Sequence, residues 1–180
     1  MASEADLVDW WWDQQVRGAN AIAAEERVAR QLAARMADEL CTELPPDAVT
    51  GSEAPTSALV RNRVLRLTRD GRIRFHHDLL ADWSRVKHLL SLGDTVVVFM
   101  RVHAENPPWL RAIRLLSQYL LDRAADLNRW RAILNECNFI AAGTDEPSAE
   151  SLQVLDAWLE GIAFCSSASE AINNLKSRCV

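Results

Sequence analysis

Hydrophobic and polar positions change period along this chain, and the changes mark its elements. From residue 20 to about residue 40 apolar side chains recur every fourth position, at Val28, Leu32, Met36 and Leu40, the period of one helical face. Ala29, Ala33 and Ala37 run alongside and permit close approach of another helix, while Glu26 and Arg30 pair at i,i+4 on the outer side. Residues 64–68 and 72–76 alternate instead, as strands do, with Arg69-Asp70-Gly71 as the turn between them. The two faces set the register. A two-residue loop would put Leu67 opposite Arg74 and mix apolar with charged side chains. A three-residue loop, 69–71, pairs Leu67 with Ile73 and Leu65 with Phe75, so that one face is wholly apolar. It also puts Gly71 where the backbone needs a left-handed residue. The other face carries Arg66, Arg72, Arg74 and His76, and continued alternation turns His77 inward with Phe75. Asp78 is then placed to cap a helix with Leu79, Trp83, Val86 and Leu90 at helical spacing, ended by Gly93.

The flanking segments read as helices. Ser3, with Asp6 at the box position, is placed to cap a first helix carrying Leu7, Trp10, Trp11 and Trp12. Three consecutive tryptophans cannot share one face, because neighbours point about 100° apart. Either neighbours bury that helix on two sides, or a preceding domain covers part of it. Gly18 separates it from the helix that starts at Asn20. Residues 43–56 form a loop by composition, and a short helix over 57–63 leads into the hairpin. Residues 95–102 are β-rich by propensity but do not alternate, and their surroundings favour a helix. Pro107-Pro108 opens a helix whose stripe runs unbroken through Trp109, Ile113, Leu116, Leu120, Ala124, Leu127, Trp130 and Leu134. After a loop at 142–147 come helices with Leu152, Leu155, Leu159 and Ile162, then Ala168, Ile172 and Leu175.

The expected fold is therefore mainly α: a winged helix-turn-helix with a short β-hairpin, preceded by a linker helix, over residues 1–92. Residues 93–180 are expected to form α-solenoid-like helical pairs of the HEAT/TPR kind, a truncated array, although no strict repeat is visible.

Composition adds limits. The 180 residues are 49% hydrophobic and 25% charged, ordinary for a globular protein, and a net charge of −5 argues against a nucleic-acid footprint over the whole surface. No apolar run approaches the length of a membrane span and the N-terminus has no basic leader, so no membrane partner and a cytoplasmic location are expected. Cys41, Cys137, Cys165 and Cys179 show no metal-ligand spacing, which favours reduced, mostly buried thiols. The glycine positions cannot spell a Walker A loop, and neither GxSxG nor HExxH occurs. No enzymatic activity, cofactor or metal is expected of this chain alone.

The string RIRFHHDLLADW resembles the end of the winged-helix domain in STAND-class signal-transduction NTPases, the group with NACHT and NB-ARC proteins. That group carries a hydrophobic-x-His-Asp signature there, of which MHD is one form. Phe75, His77 and Asp78 match it within Phe75-His76-His77-Asp78, and the apolar helix follows. The resemblance extends less specifically back through LVDWWWDQQV and the Ala/Arg/Glu helix, and forward into the helical segments, and its pattern also favours a helix at 95–102. It implies that His77 contacts the β-phosphate of ADP held by an NTPase domain, with Asp78 supporting it as N-cap. An imidazole N–H suits a phosphate oxygen. The competing reading is a histidine packed at a junction.

The resemblance also implies a parent ATPase using ADP or ATP with Mg, whose catalytic part precedes Met1. This chain would be its regulatory segment, with its own NTPase domain and a sensor region as partners. Such proteins form ligand-induced homo-oligomers, and many act in antiviral defence against phage. The runner-up is a DNA-binding winged helix using Arg61, Arg63, Arg66, Arg69, Arg72 and Arg74, six cations around the wing against one acid, Asp70. A helical interaction module without ligand is the third reading.

Overall fold

The computed structural model describes residues 4–17, 23–49, 53–142, 149–163 and 165. Ser3, Gly18, Asn20, the loop at 143–147, the expected last helix with Ala168, Ile172 and Leu175, and Cys179 lie outside them. Among the described residues the chain is mainly helical, with eight α-helices and one short antiparallel hairpin. It divides into two compact units, Asp6–Ser91 and Leu92–Val180 with Met1–Ala5.

In the first unit, α1 (Glu4–Trp11) runs into a six-residue π-helix, Trp12–Arg17. The wider turn keeps Trp12 and Val16 both buried, while Trp11 is half-buried and Trp10 is 60% exposed. The tryptophans thus diverge as adjacent helical positions must. Asn62 Nδ2 donates to the Gln15 carbonyl at 2.9 Å, and Lys87 pairs with Asp9 beside the Trp12 ring.

Helix α2 (Ala23–Asp38) buries Val28, Leu32 and Met36 together with the alanine stripe. The small side chains let α4 (Asp78–Ser91) lie close, and Arg85 on α4 donates to the Ala33 carbonyl at 3.4 Å. Leu40, expected on the buried stripe, is outside the helix at φ +50° and exposed. There the Cys41 N–H reaches the Met36 carbonyl and the Leu40 N–H that of Ala37, the paired bonds of a Schellman motif. Helix α3 (Glu53–Arg61) ends in the same way. Arg63 sits at φ +57°, with Val64 N–H bonded to Leu59 and Arg63 N–H to Val60. Both left-handed positions carry a side chain instead of glycine. Leu40→Gly and Arg63→Gly are each expected to add roughly 0.5–1 kcal/mol, because relief of the left-handed penalty exceeds glycine's entropic cost. Chemical denaturation of each variant checks this; a lowered midpoint would mean the side chain matters more than the backbone.

Strands β1 (Leu65–Leu67) and β2 (Ile73–Phe75) pair Leu65 with Phe75 and Leu67 with Ile73. That is the three-residue-loop register, and Gly71 has φ +74°. The apolar face is buried only in part: Leu65, Ile73 and Phe75 are in the core, but Leu67, at the turn end of β1, is 57% exposed. Within the expected loop, Leu44 exchanges both backbone hydrogen bonds with Ile73, at 2.9 and 2.7 Å, and is buried. Pro45 and Pro46 follow and have no N–H to donate, so the pairing stops after one residue. The core of this unit gathers Trp12, Val28, Leu32, Leu44, Leu65 and Ile73.

On α4 the buried residues are Ala81, Asp82, Trp83, Ser84, Val86 and Leu89, whereas Leu79 is exposed and Leu90 half-buried. The helix is covered over most of its circumference, not along the single stripe that spacing implied.

In the second unit residues 96–102 are helical (α5, Val96–Val102). Helix α6 (Pro107–Leu121) begins after Asn106, whose side chain accepts the Trp109 N–H. The unbroken stripe of the sequence corresponds to two helices, since α7 (Leu127–Ala142) starts anew after an extended Arg123. No glycine or proline marks that break. Arg123 clasps it, reaching the Tyr119 hydroxyl at 2.6 Å and Asp126 at 3.2 Å. Helix α8 (Ala149–Ala163) runs parallel to α6, with Arg114 beside Glu160, Ser117 beside Gly161 and Asp122 beside Cys165. Its buried face is Ser151, Val154, Ala157, Trp158 and Gly161; the expected stripe is turned outward, with Leu152 and Leu159 exposed. The small residues permit the close crossing. Ser117 Oγ donates to the Trp158 carbonyl at 2.6 Å and accepts Trp130 Nε1–H at 2.7 Å, joining α6, α7 and α8 in one buried node.

Candidate functional site: the strand–helix junction

Phe75, in the core, fixes the end of β2. The His76 N–H still bonds to the Val64 carbonyl at 2.9 Å, and the His77 carbonyl accepts the Leu80 N–H at 3.0 Å, which starts the next helix. The backbone from 75 to 80 is therefore held from both sides. His76, His77, Asp78 and Leu79 are nonetheless all exposed. This corrects the inward placement of His77: strand alternation ends at Phe75, and the turn into α4 carries the next side chains outward. Asp78 is the first residue of α4, not the residue before it, so its carboxylate complements the positive end of the helix from within the first turn.

The arginines are only partly brought together. Arg66 and Arg74 face each other across the ladder, the first exposed and the second half-buried. Arg72 is taken up by Glu43, with Nε 3.1 Å from the carboxylate and Nη2 donating to the Glu43 carbonyl. Arg61, Arg63 and Arg69 are exposed at the end of α3 and in the turn. The Glu43 pairing means the patch carries less free charge than the sequence count suggested.

A polar feature absent from the sequence reading lies on α4. Asp82, almost fully buried, accepts from Arg85 Nη1 at 2.6 Å. Their i,i+3 spacing was the available signal. His103 stacks on Phe99 with Nδ1 2.8 Å from the Phe99 carbonyl, and its ring meets Trp109 edge-on. Both arrangements are structural.

Cys137 and Cys165 are buried and Cys41 is half-buried, all as free thiols. Burial, with help from Glu136, pushes the Cys137 thiol up to about 11, away from nucleophilic reactivity. Among the described residues no cluster of His, Cys, Asp or Glu could hold a metal ion, and no helix is long and apolar enough to cross a membrane. Comparison with family models, with curated proteins and with solved structures gave no match.

Proposed function

We propose that residues 6–91 act as the winged-helix module of a STAND-class signal-transduction NTPase, and that the helical unit after it couples that module to a sensor region. The order of elements supports this reading: helix α2, the single strand residue Leu44, helix α3, the two-stranded wing, then α4. The observation that carries it is His77. Its backbone is fixed by a core-anchored strand on one side and a helix on the other, while its imidazole is presented to the outside. That suits a contact with ADP held by a separate NTPase domain. Neither nucleotide hydrolysis nor tight nucleotide binding is assigned to this chain alone.

A latch of this kind works only through differential contact: the imidazole touches phosphate in the closed state and nothing in the open one. In the protein assembled with its NTPase domain, His77→Ala removes a charge-assisted hydrogen bond worth about 1.5–3 kcal/mol. ADP should then leave roughly 10- to 150-fold faster, and assembly should occur without the sensed ligand. His76→Ala, one residue away, serves as matched control and should change neither. Stopped-flow ADP release from both variants decides the matter. Equal rates, or a loss of stability without faster release, would leave His77 as a surface residue.

A further inference from the structure

The wing has one edge completed by the chain itself and one edge open. Its hydrogen bonds fix which is which. Thr68 N–H bonds to the Arg72 carbonyl and His76 N–H to that of Val64, so the even-numbered residues of β1 turn their backbone groups to β2. Leu65 and Leu67 turn theirs the other way. On the far side of β2, Leu44 exchanges both backbone bonds with Ile73, and the neighbouring Glu43 pairs its carboxylate with Arg72. An extended glutamate–leucine segment thus closes that edge, the leucine supplying backbone bonds and the glutamate supplying charge.

The outer edge presents the same two needs, and among the described residues neither is met. Leu67 is 57% exposed, and no described group bonds its N–H or C=O. Arg66 and Arg74 stand directly opposite each other, a like-charged pair that weakens the ladder. Arg17, Arg35, Arg72, Arg85, Arg114 and Arg123 each have a carboxylate. Arg66 and Arg74 have none among the described residues, and Arg74 Nε is shielded from solvent without a hydrogen bond.

We propose that β1 takes up an extended segment of a partner protein in which an acidic residue is flanked by apolar ones. One apolar residue of the segment exchanges backbone bonds with Leu67, as Leu44 does with Ile73, and the acid beside it reaches Arg66 and Arg74. A second copy of the chain fits badly, because pairing two β1 edges about a two-fold axis gathers the arginines of both on one face. Nucleic acid fits badly too, since a phosphate backbone has no N–H for the Leu67 carbonyl.

The test titrates the full chain with a short capped peptide in which valine alternates with glutamate, followed by calorimetry and amide chemical shifts. Saturable binding is expected, with the Leu67 amide among those that shift most and with affinity falling as salt is added. Arg66→Ala and Arg74→Gln should each weaken it by about tenfold or more, as loss of a charge-assisted bond does. Arg66→Glu should abolish binding yet raise the melting temperature of the unbound chain by roughly 1–8 °C, since an opposite pair replaces a like one. A fall in melting temperature would make Arg66 a structural residue and overturn the assignment. So would the absence of saturable binding at about 1 mM peptide. Equal binding by a peptide with lysine for glutamate, or by one with N-methylated amides, would do the same. Tighter binding of a DNA duplex that Arg66→Ala weakens would give the arginines to nucleic acid instead.

Discussion

Trp83→Ala is expected to lose about 3–5 kcal/mol, the cost of emptying a buried large aromatic site. Trp83 is 2% exposed on a helix covered over most of its circumference, so the cavity has few open sides through which neighbours could relax. Set against the roughly 5–15 kcal/mol that holds an ordinary domain together, that loss takes a large part of the total. The unit of Asp6–Ser91 should melt well below the wild type, and its strand–helix junction with it, since β2 and α4 meet at residues 75–80. Trp10→Ala is the matched comparison. It removes the same side chain from the same unit at a site 60% exposed, and should change stability by less than about 1 kcal/mol. Thermal melts followed by far-ultraviolet circular dichroism check both. If the two variants melt alike, Trp83 does not occupy the core.

What could be read from the sequence was whatever one local rule determines. The hairpin register followed from the two-residue period, because a one-residue slip would have exposed every apolar side chain at once. The start of α6 followed from Pro107, whose ring fixes φ and whose missing N–H is not needed there. The divergence of Trp10, Trp11 and Trp12 followed from helical geometry alone. The misreadings share a different cause. Leu40 and Arg63 terminate helices in a conformation usually left to glycine, so the usual stop signal was missing. Leu44 looks like part of a proline-rich loop, and only Ile73, far along the chain, makes it a strand residue.

The same limit applies to the helical unit and the junction. The break at Asp122 leaves the three-to-four-residue rhythm intact, so periodicity alone could not separate one long helix from two. On α8 the leucines outweighed Ser151, Ala157 and Gly161 in any hydrophobic count, yet close packing is decided by the small residues. At the junction, the Phe75-x-His77-Asp78 motif located the candidate site without giving its orientation. Whether His77 faces in or out depends on where the strand stops, and the first turn of α4 decides that.

Gly161→Ala separates local propensity from tertiary packing by sign. In an isolated helix the change would add about 1 kcal/mol, since alanine is the better helix former. Here a Cβ at residue 161 would lie 2.5 Å from both Cβ and Oγ of Ser117 and 2.8 Å from the Arg114 carbonyl oxygen. Two of those three atoms cannot rotate away, so α6 and α8 must move apart. Separation stretches the bond from Ser117 Oγ to the Trp158 carbonyl and loosens the stack of Trp130 on Trp158, whose ring centroids are 5.9 Å apart. Overpacking of this kind costs about 1–3 kcal/mol, and a buried hydrogen bond left unmade adds about 1–3 kcal/mol. The net expectation is a loss of roughly 1–5 kcal/mol after the propensity gain is subtracted, seen as a fall of at least about 4 °C in the melting of the helical unit. Ser117→Gly in the same chain removes the clashing Cβ and Oγ. It should restore part of the loss but not all of it, because the Trp130 indole N–H and the Trp158 carbonyl then lose their shared partner. A Gly161→Ala variant as stable as the wild type would mean that α6 and α8 do not cross at this point.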